Sequence, residues 1–245
     1  MTELVTQTVQ IANGDLAIDA YLTYPETGTY PGILVVQEIF GVNDHIRDVT
    51  RRIARAGYVA IAPALFQRQA PGFEAGYTPE DIQIGRTYKN QTRAGELLGD
   101  LQAAIDYLHS LPQVQPGKVG SIGFCFGGHV AYLGATLPDI GATASFYGAG
   151  IADWSPGDGE PTLCRTADIQ GTIYAFFGMA DASIPAEQVD KIEAALRQAR
   201  IAHRIFRYPN ADHGFFCDRR ASFNREAALD AWKHVLELFS TVLRP

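Results

Sequence analysis

The chain has 245 residues, 47% of them hydrophobic and 19% charged, enough to bury a sizeable core in one α/β domain of ordinary size. A net charge of −7 with no basic stripe excludes nucleic acid and anionic membrane surfaces as expected partners and leaves small molecules. Three cysteines, Cys125, Cys164 and Cys217, are an odd count without metal-ligand spacing, so neither a disulfide framework nor a metal site is expected, and a reducing, cytoplasmic setting fits.

The first residues, Met1-Thr2-Glu3-Leu4-Val5, lack a basic segment followed by an apolar one, and no later run has the length of a membrane span. The expectation is a soluble, unexported protein. Val5 to Ile11 and Leu16 to Thr23 alternate apolar and polar residues around Asn13-Gly14-Asp15, which predicts an antiparallel edge hairpin. Ile33 to Val36 is an uninterrupted apolar run of the kind buried on both faces of a parallel sheet, and it ends in Gln37-Glu38-Ile39-Phe40-Gly41. From Asp44 to Ala56, Ile46, Val49, Ile53 and Ala56 recur at helical spacing, with Gly57 as the C-terminal cap.

Tyr58 to Ala62 reads as the next strand, and Pro63 to Glu80, carrying Pro71-Gly72 and Thr78-Pro79, as a long loop of the kind that tends to be functional. Leu97 to Leu108 presents one apolar helical face. Lys118 to Ile122 is a short strand running into a glycine-rich turn, followed by helix-forming sequence from Val130 to about Thr136. Then come a strand, Ala142 to Tyr147, a Gly/Pro/Asp-rich loop, Gly148 to Pro161, a strand, Thr172 to Phe177, a helix, Ala186 to Ala199, a strand, Ala202 to Tyr208, and a closing helix, Ser222 to Leu243. Strand and helix alternate without a composition break or repeat, so residues 1–245 are expected to form one doubly wound, mainly parallel α/β domain.

The glycine-rich turn, Gly123-Phe124-Cys125-Phe126-Gly127, has the pattern of a nucleophile elbow with cysteine where serine usually stands. Glycines on either side let strand and helix approach closely, and the apical side chain sits at a helix N-terminus that favours a thiolate or a developing oxyanion. Alone, the motif is also met in ordinary glycine-rich turns, and a free cysteine is often just a small buried hydrophobe. The rest of the chain decides. In an open α/β sheet the residues just beyond the strands line the ligand site. Asp181 and His213 hold such positions, and with Cys125 they give the chain order nucleophile, acid, histidine. A thiolate attacks, an imidazole moves the proton, and a carboxylate fixes the imidazole's tautomer. Asp212 is a rival acid that lacks a strand end of its own. His129, one turn beyond Cys125, is expected to pack against the sheet, because i and i+4 neighbours do not bring a ring over an apical side chain. His45, His109, His203 and His234 have no comparable setting.

With Gln37-Glu38-Ile39-Phe40-Gly41-Val42-Asn43, Arg68-Gln69-Ala70-Pro71-Gly72, Gly123-Phe124-Cys125-Phe126-Gly127-Gly128 and His213-Gly214-Phe215 in place, the chain resembles the dienelactone hydrolase family over nearly its whole length. The resemblance implies a monomeric α/β-hydrolase without cofactor that opens an enol-lactone ring to maleylacetate. It carries the triad onto Cys125, Asp181 and His213, and the oxyanion donors onto the backbone N–H groups of Ile39 and Phe126. It also gives Glu38 a role: contact with the resting thiol, and removal of its proton once an anionic substrate disturbs the glutamate's ion pair. A thiol kept neutral until then is spared oxidation. The family holds the substrate carboxylate with two arginines. Upstream, Arg86 and Tyr88 are candidates at loose spacing; downstream, Cys217 occupies the matching position, glycine follows His213 where serine is common, and Arg219, beside Arg220, is the nearest candidate. Two alternatives stand beside this expectation: a related esterase, thioesterase or lactonase whose substrate lacks the carboxylate, and a non-catalytic thiol protein on the same scaffold.

Overall fold

Eight strands form one sheet in the order β1-β2-β4-β3-β5-β6-β7-β8 in a computed structural model that describes residues 3–157 and 159–244. Met1 and Thr2, and position 158 of the predicted 148–161 loop, lie outside the described residues. The first two strands, β1 (Leu4–Asn13) and β2 (Leu16–Pro25), make the expected hairpin, with Asn13 opposite Leu16 across a turn where Gly14 has φ +58°. β2 then runs antiparallel to β4 (Val59–Pro63), and the remaining pairs, through β3 (Gly32–Val36), β5 (Val119–Phe124), β6 (Ile140–Phe146), β7 (Thr172–Gly178) and β8 (His203–Tyr208), are parallel.

The apolar run of β3 behaves as its composition requires. Side chains alternate across a strand, so Ile33 and Val35 join the apolar layer beneath α1 (Asp44–Arg55) and α6 (Arg225–Leu243), while Leu34 and Val36 join the layer beneath α3 (Ala94–Ser110) and α4 (Phe126–Gly134). All four are fully buried. Each contributes roughly 1.5–3 kcal/mol by leaving water, which anchors the strand whose end carries Glu38 and Ile39. With α5 (Ala186–Gln198) the chain has the α/β-hydrolase architecture anticipated above, a mainly parallel sheet with an antiparallel hairpin at one edge.

Three elements differ from the sequence reading. A helix, α2 (Pro79–Asn90), fills much of the stretch between the predicted loop and the next predicted helix. Its one buried residue is Gly85, so it has no apolar stripe for periodicity to detect; its trace in the sequence is a capping box, Thr78 with Asp81, and Pro79 in the first turn. Gly85 lets the helix lie directly on the chain after β3: a Cβ there would stand 2.3 Å from the Ile39 carbonyl oxygen. α4 starts at Phe126, at once after Cys125, rather than near Val130, because Gly127 and Gly128 are chosen for close approach and not for helix propensity. A 3₁₀ segment, Thr162–Asp168, follows the loop after β6.

The glycines of the elbow are forced by backbone, not by taste for turns. A Cβ on Gly127 would stand 2.3 Å from both the Val36 and Gln37 carbonyl oxygens, and one on Gly123 1.9 Å from the Gly127 carbonyl oxygen. None of these atoms belongs to a side chain that can swing away. Gly127→Ala is therefore expected to lower the unfolding free energy by about 3 kcal/mol or more, whereas Gly95→Ala, in α3 with open space around it, should raise it by roughly 0.5–1 kcal/mol. Urea denaturation of the two variants against the parent checks both signs.

Candidate active site

Cys125 sits at the apex between β5 and α4 with φ 56° and ψ −119°, a left-handed conformation for a residue with a side chain. Strain of this kind costs of order 1–3 kcal/mol and persists only where the surroundings over-determine it. Here the Cys125 N–H donates to the Phe146 carbonyl at 3.0 Å, and its own carbonyl accepts from the N–H groups of Gly128 and His129 at 3.0 and 3.2 Å. The half-buried thiol is thereby held at the N-terminus of α4.

β8 delivers His213 to the same place, and β7 delivers Asp181. His213 Nδ1 and Asp181 Oδ2 are 2.7 Å apart, and the second Asp181 oxygen accepts the Ser183 N–H at 2.8 Å. A carboxylate beside Nδ1 makes that nitrogen the donor and leaves Nε2 for the cleft that Cys125 also lines. Burial opposes a charge on the His213 ring, yet Cys125 and the Asp181 hydrogen bond outweigh it, and its pKa is pushed up to about 10. Asp181 shows the complement: burial raises its pKa, and the His213 and Ser183 contacts more than reverse this, so it is held below the usual carboxylate range. The rival acid, Asp212, spends an oxygen on the His213 backbone N–H at 2.6 Å.

Glu38 follows β3, the neighbour of β5, and is fully buried. Arg220 Nη1 donates to its Oε1 at 3.2 Å; its Oε2 has no hydrogen-bond partner among the described residues. The backbone N–H groups of Ile39 and Phe126 likewise have no acceptor among the described residues. Both residues line a cleft of about 410 Å³ together with Cys125 and His213.

The family model described as "Dienelactone hydrolase family" matches residues 18–243. The chain is 59% identical over 243 residues to the "Putative carboxymethylenebutenolidase" of Synechocystis sp., covering 99% of each, and 34% identical over 238 residues to the protein of the same description from Methylorubrum extorquens, covering 96% of this chain and 81% of that one. The chain belongs to the dienelactone hydrolase family. A "Putative Dienelactone Hydrolase" from Klebsiella pneumoniae superposes with TM-score 0.87 at 32% identity, over 97% of this chain and 99% of that one. An acylaminoacyl peptidase from Pyrococcus horikoshii, at 15% identity and TM-score 0.76 over 100% of this chain and 42% of its own, shares the fold alone. The dienelactone hydrolase family makes this chain a hydrolase of lactones or esters.

Of the residues anticipated for substrate contact, this family member brings only Arg86 to the cleft. Tyr88 turns away and packs on Phe66 and Phe73, with ring centroids 5.9 and 4.8 Å apart. Arg219 is exposed beside Asp218 and lines a different cleft; its neighbour Arg220 takes the place at Glu38. Two successive turns, closed by Cys217 N–H to Gly214 and Arg220 N–H to Cys217, set this register. Gly214 makes room for it: its φ is +79°, and a Cβ there would fall 2.5 Å from an Arg220 guanidinium nitrogen. The glycine after His213 is thus paired with the displaced arginine. Lys89, which the sequence reading passed over, lies one turn beyond Arg86 on α2 and lines the same cleft, its ammonium 4.1 Å from the Trp154 ring centroid. Burial lowers its pKa, against the pull of Cys125.

His129 is not a second base. It is fully buried, but its place is against the loop after β6 rather than against the sheet: Nδ1 meets the Ala149 carbonyl at 2.9 Å, Nε2 meets Thr162 Oγ1 at 2.7 Å, and Trp154 packs edge-on. A carbonyl only accepts, so Nδ1 carries the proton and Nε2 accepts from threonine. Burial drops its pKa to about 4 from an ordinary 6.5. The folded chain resists protonation there while the unfolded chain does not, so this stability is complete above about pH 6.5 and drains away as pH falls to about 4. The difference, 6.5 − 4, corresponds to a loss of about 3 kcal/mol. Urea unfolding across that interval should show it, with a shallower dependence in His129→Gln.

Proposed function

We propose that the chain hydrolyses dienelactone-type enol-lactones through an acyl-thioester on Cys125. The observation that carries the reading is the Asp181–His213 hydrogen bond beside Cys125, in one cleft with two N–H groups that have no acceptor among the described residues. In the reaction, the thiolate attacks the lactone carbonyl while Ile39 and Phe126 N–H groups receive the oxyanion. The ring C–O bond breaks, the enolate leaves and takes up the proton that Glu38 removed from the thiol, and the acyl group stays on sulfur. His213 then removes a proton from water, which attacks the thioester; the thiol is regenerated and the acid released, as maleylacetate where dienelactone is the substrate.

Glu38 sets the timing. Its partner Arg220 reaches the cleft, where Arg86 and Lys89 also stand. A substrate carboxylate binding there competes for the Arg220 guanidinium, and the released Glu38, a buried carboxylate short of partners, takes the Cys125 proton. The reaction asks for no cofactor, and one chain supplies every group named. Three unpaired cysteines suit a reducing, cytoplasmic setting.

Cys125→Ala should reduce turnover of cis-dienelactone and of nitrophenyl acetate by about 10³-fold or more; wild-type rates in that variant would end the proposal, and no turnover by the parent chain would favour a non-catalytic thiol protein. Arg86→Ala and Lys89→Ala should each raise KM for the anionic lactone about 10- to 100-fold and leave the neutral ester within about twofold, with Arg219→Ala indifferent to both. Equal effects on charged and neutral substrates would point instead to an esterase or lactonase whose substrate lacks the carboxylate.

A further inference from the structure

Behind the Glu38–Arg220 pair lies a group of side chains that the hydrolytic reaction leaves unused. A Glu38 carboxylate oxygen, a His45 ring nitrogen and the Cys217 sulfur lie within 4.8 Å of one another, and all three residues are buried. They come from the end of β3, the first turn of α1 and the loop after His213, so no local spacing in the sequence announces them. Two of their atoms, Glu38 Oε2 and His45 Nε2, have no hydrogen-bond partner among the described residues. A buried carboxylate oxygen and a buried imidazole nitrogen left without partners are costly, and one ligand placed between them would relieve both.

We propose that Glu38, His45 and Cys217 form a binding site for a Zn²⁺-class divalent cation, and that its occupation inhibits hydrolysis. Carboxylate, neutral imidazole and thiolate are the donor types zinc prefers, and three protein ligands with a fourth position open are an accepted set. Atoms no more than 4.8 Å apart can all be met from a point about 2.8 Å from each, and bonding distances of about 2.0–2.3 Å then ask for a contraction of well under an ångström. Burial keeps the His45 imidazole neutral, the form that ligates, by lowering its pKa. Burial and the Glu38 charge push the Cys217 thiol up to about 11, so the ion must displace that proton, and one proton is released for each ion bound at neutral pH. Tyr77 steadies the sulfur, with Cys217 Sγ and Asn43 Nδ2 both on its hydroxyl at 3.3 Å, while Asn43 also caps α1, on which His45 rides.

Access comes from outside the catalytic cleft. A separate cleft of about 500 Å³ is lined by Asn43, His45 and Tyr77, with Asp44 and Glu74 at its walls. Arg47 neutralises these two acids in part and Arg219 stands nearby, so the attraction is that of the three donors rather than of a general acidic mouth. With Oε2 bound to the cation and Oε1 still facing Arg220, Glu38 can no longer reach for the Cys125 proton. The inhibitory half therefore rests on the role proposed for Glu38; the site itself does not.

The test titrates the metal-free chain with ZnCl₂ in the presence of a chromophoric chelator, and with CoCl₂ for the thiolate-to-cobalt charge-transfer band. One ion per chain is expected, with the same affinity in Cys125→Ala and at least a 100-fold weaker one in Cys217→Ser and in His45→Gln. Circular dichroism and metal-free turnover near the parent's establish that these two variants fold. Zinc should lower the parent's turnover at least tenfold and leave that of Cys217→Ser unchanged. No binding, or binding lost in Cys125→Ala and kept in the other two variants, overturns the site and leaves the unpartnered atoms to buried water. A cobalt–thiolate band with undiminished turnover overturns the inhibition, and with it the part given to Glu38.

Discussion

The site depends on one contact between backbones, that of α4 with the end of β3 at Gly127. Because no side chain separates them, the height of Cys125 above the sheet is set by carbonyl groups of Val36 and Gln37 rather than by packing that could relax. The residues that follow those carbonyls are Glu38 and Ile39, so the strand that supports the elbow also presents the buried carboxylate and, beside it, an N–H group with no acceptor among the described residues. The strain at Cys125, of order 1–3 kcal/mol, is tolerable because β3 and β5 are buried on both faces and cannot shift to release it.

The Glu38–Arg220 pair makes little sense as a source of stability. A carboxylate fully withdrawn from water needs several partners to recover its hydration, and among the described residues Glu38 has a single bond of 3.2 Å to one guanidinium and an oxygen with none. Its charge is felt by the surrounding hydroxyls and thiol: it contributes, after burial itself, to raising the pKa values of Tyr77, Tyr147 and Cys217. In the proposed reaction that poor pairing is its use, since a substrate carboxylate that draws Arg220 away leaves Glu38 to take the Cys125 proton.

Much of this was legible in the residues. An uninterrupted apolar run marked β3, and Cys125, Asp181 and His213 each stood just past a strand end, where a parallel sheet collects its functional groups. What stayed hidden was whatever depended on glycine allowing backbone to touch backbone. α2 has no apolar face because Gly85 seats it on the Ile39 carbonyl, and without that helix the i,i+3 relation of Arg86 and Lys89 had no meaning. Arg219 and Arg220 could not be told apart until the turns after Gly214 were seen to put one in solvent and the other under Phe40 and Tyr77. Glu38, His45 and Cys217 meet only in three dimensions, and spacing rules for cysteine are blind to such a meeting.

The cleft inverts the charge of the molecule around it. Against a net −7, Arg86, Lys89 and Arg220 gather at one opening, with Lys89 partly desolvated over Trp154, so the local field favours an anion that the protein as a whole repels. Two of these cations belong to α2, and α2 rests on the peptide of Ile39, whose carbonyl lies under Gly85 and whose N–H has no acceptor among the described residues. In the proposed reaction, the group that would receive the oxyanion and the helix that would receive the substrate's charge are therefore seated on the same residue. α2, with Arg86 and Lys89, touches Ile39, while Arg220 pairs with Glu38, the residue before it. In the proposed reaction, recognition at the far end of the substrate and chemistry at its carbonyl therefore meet at two adjacent positions at the end of β3.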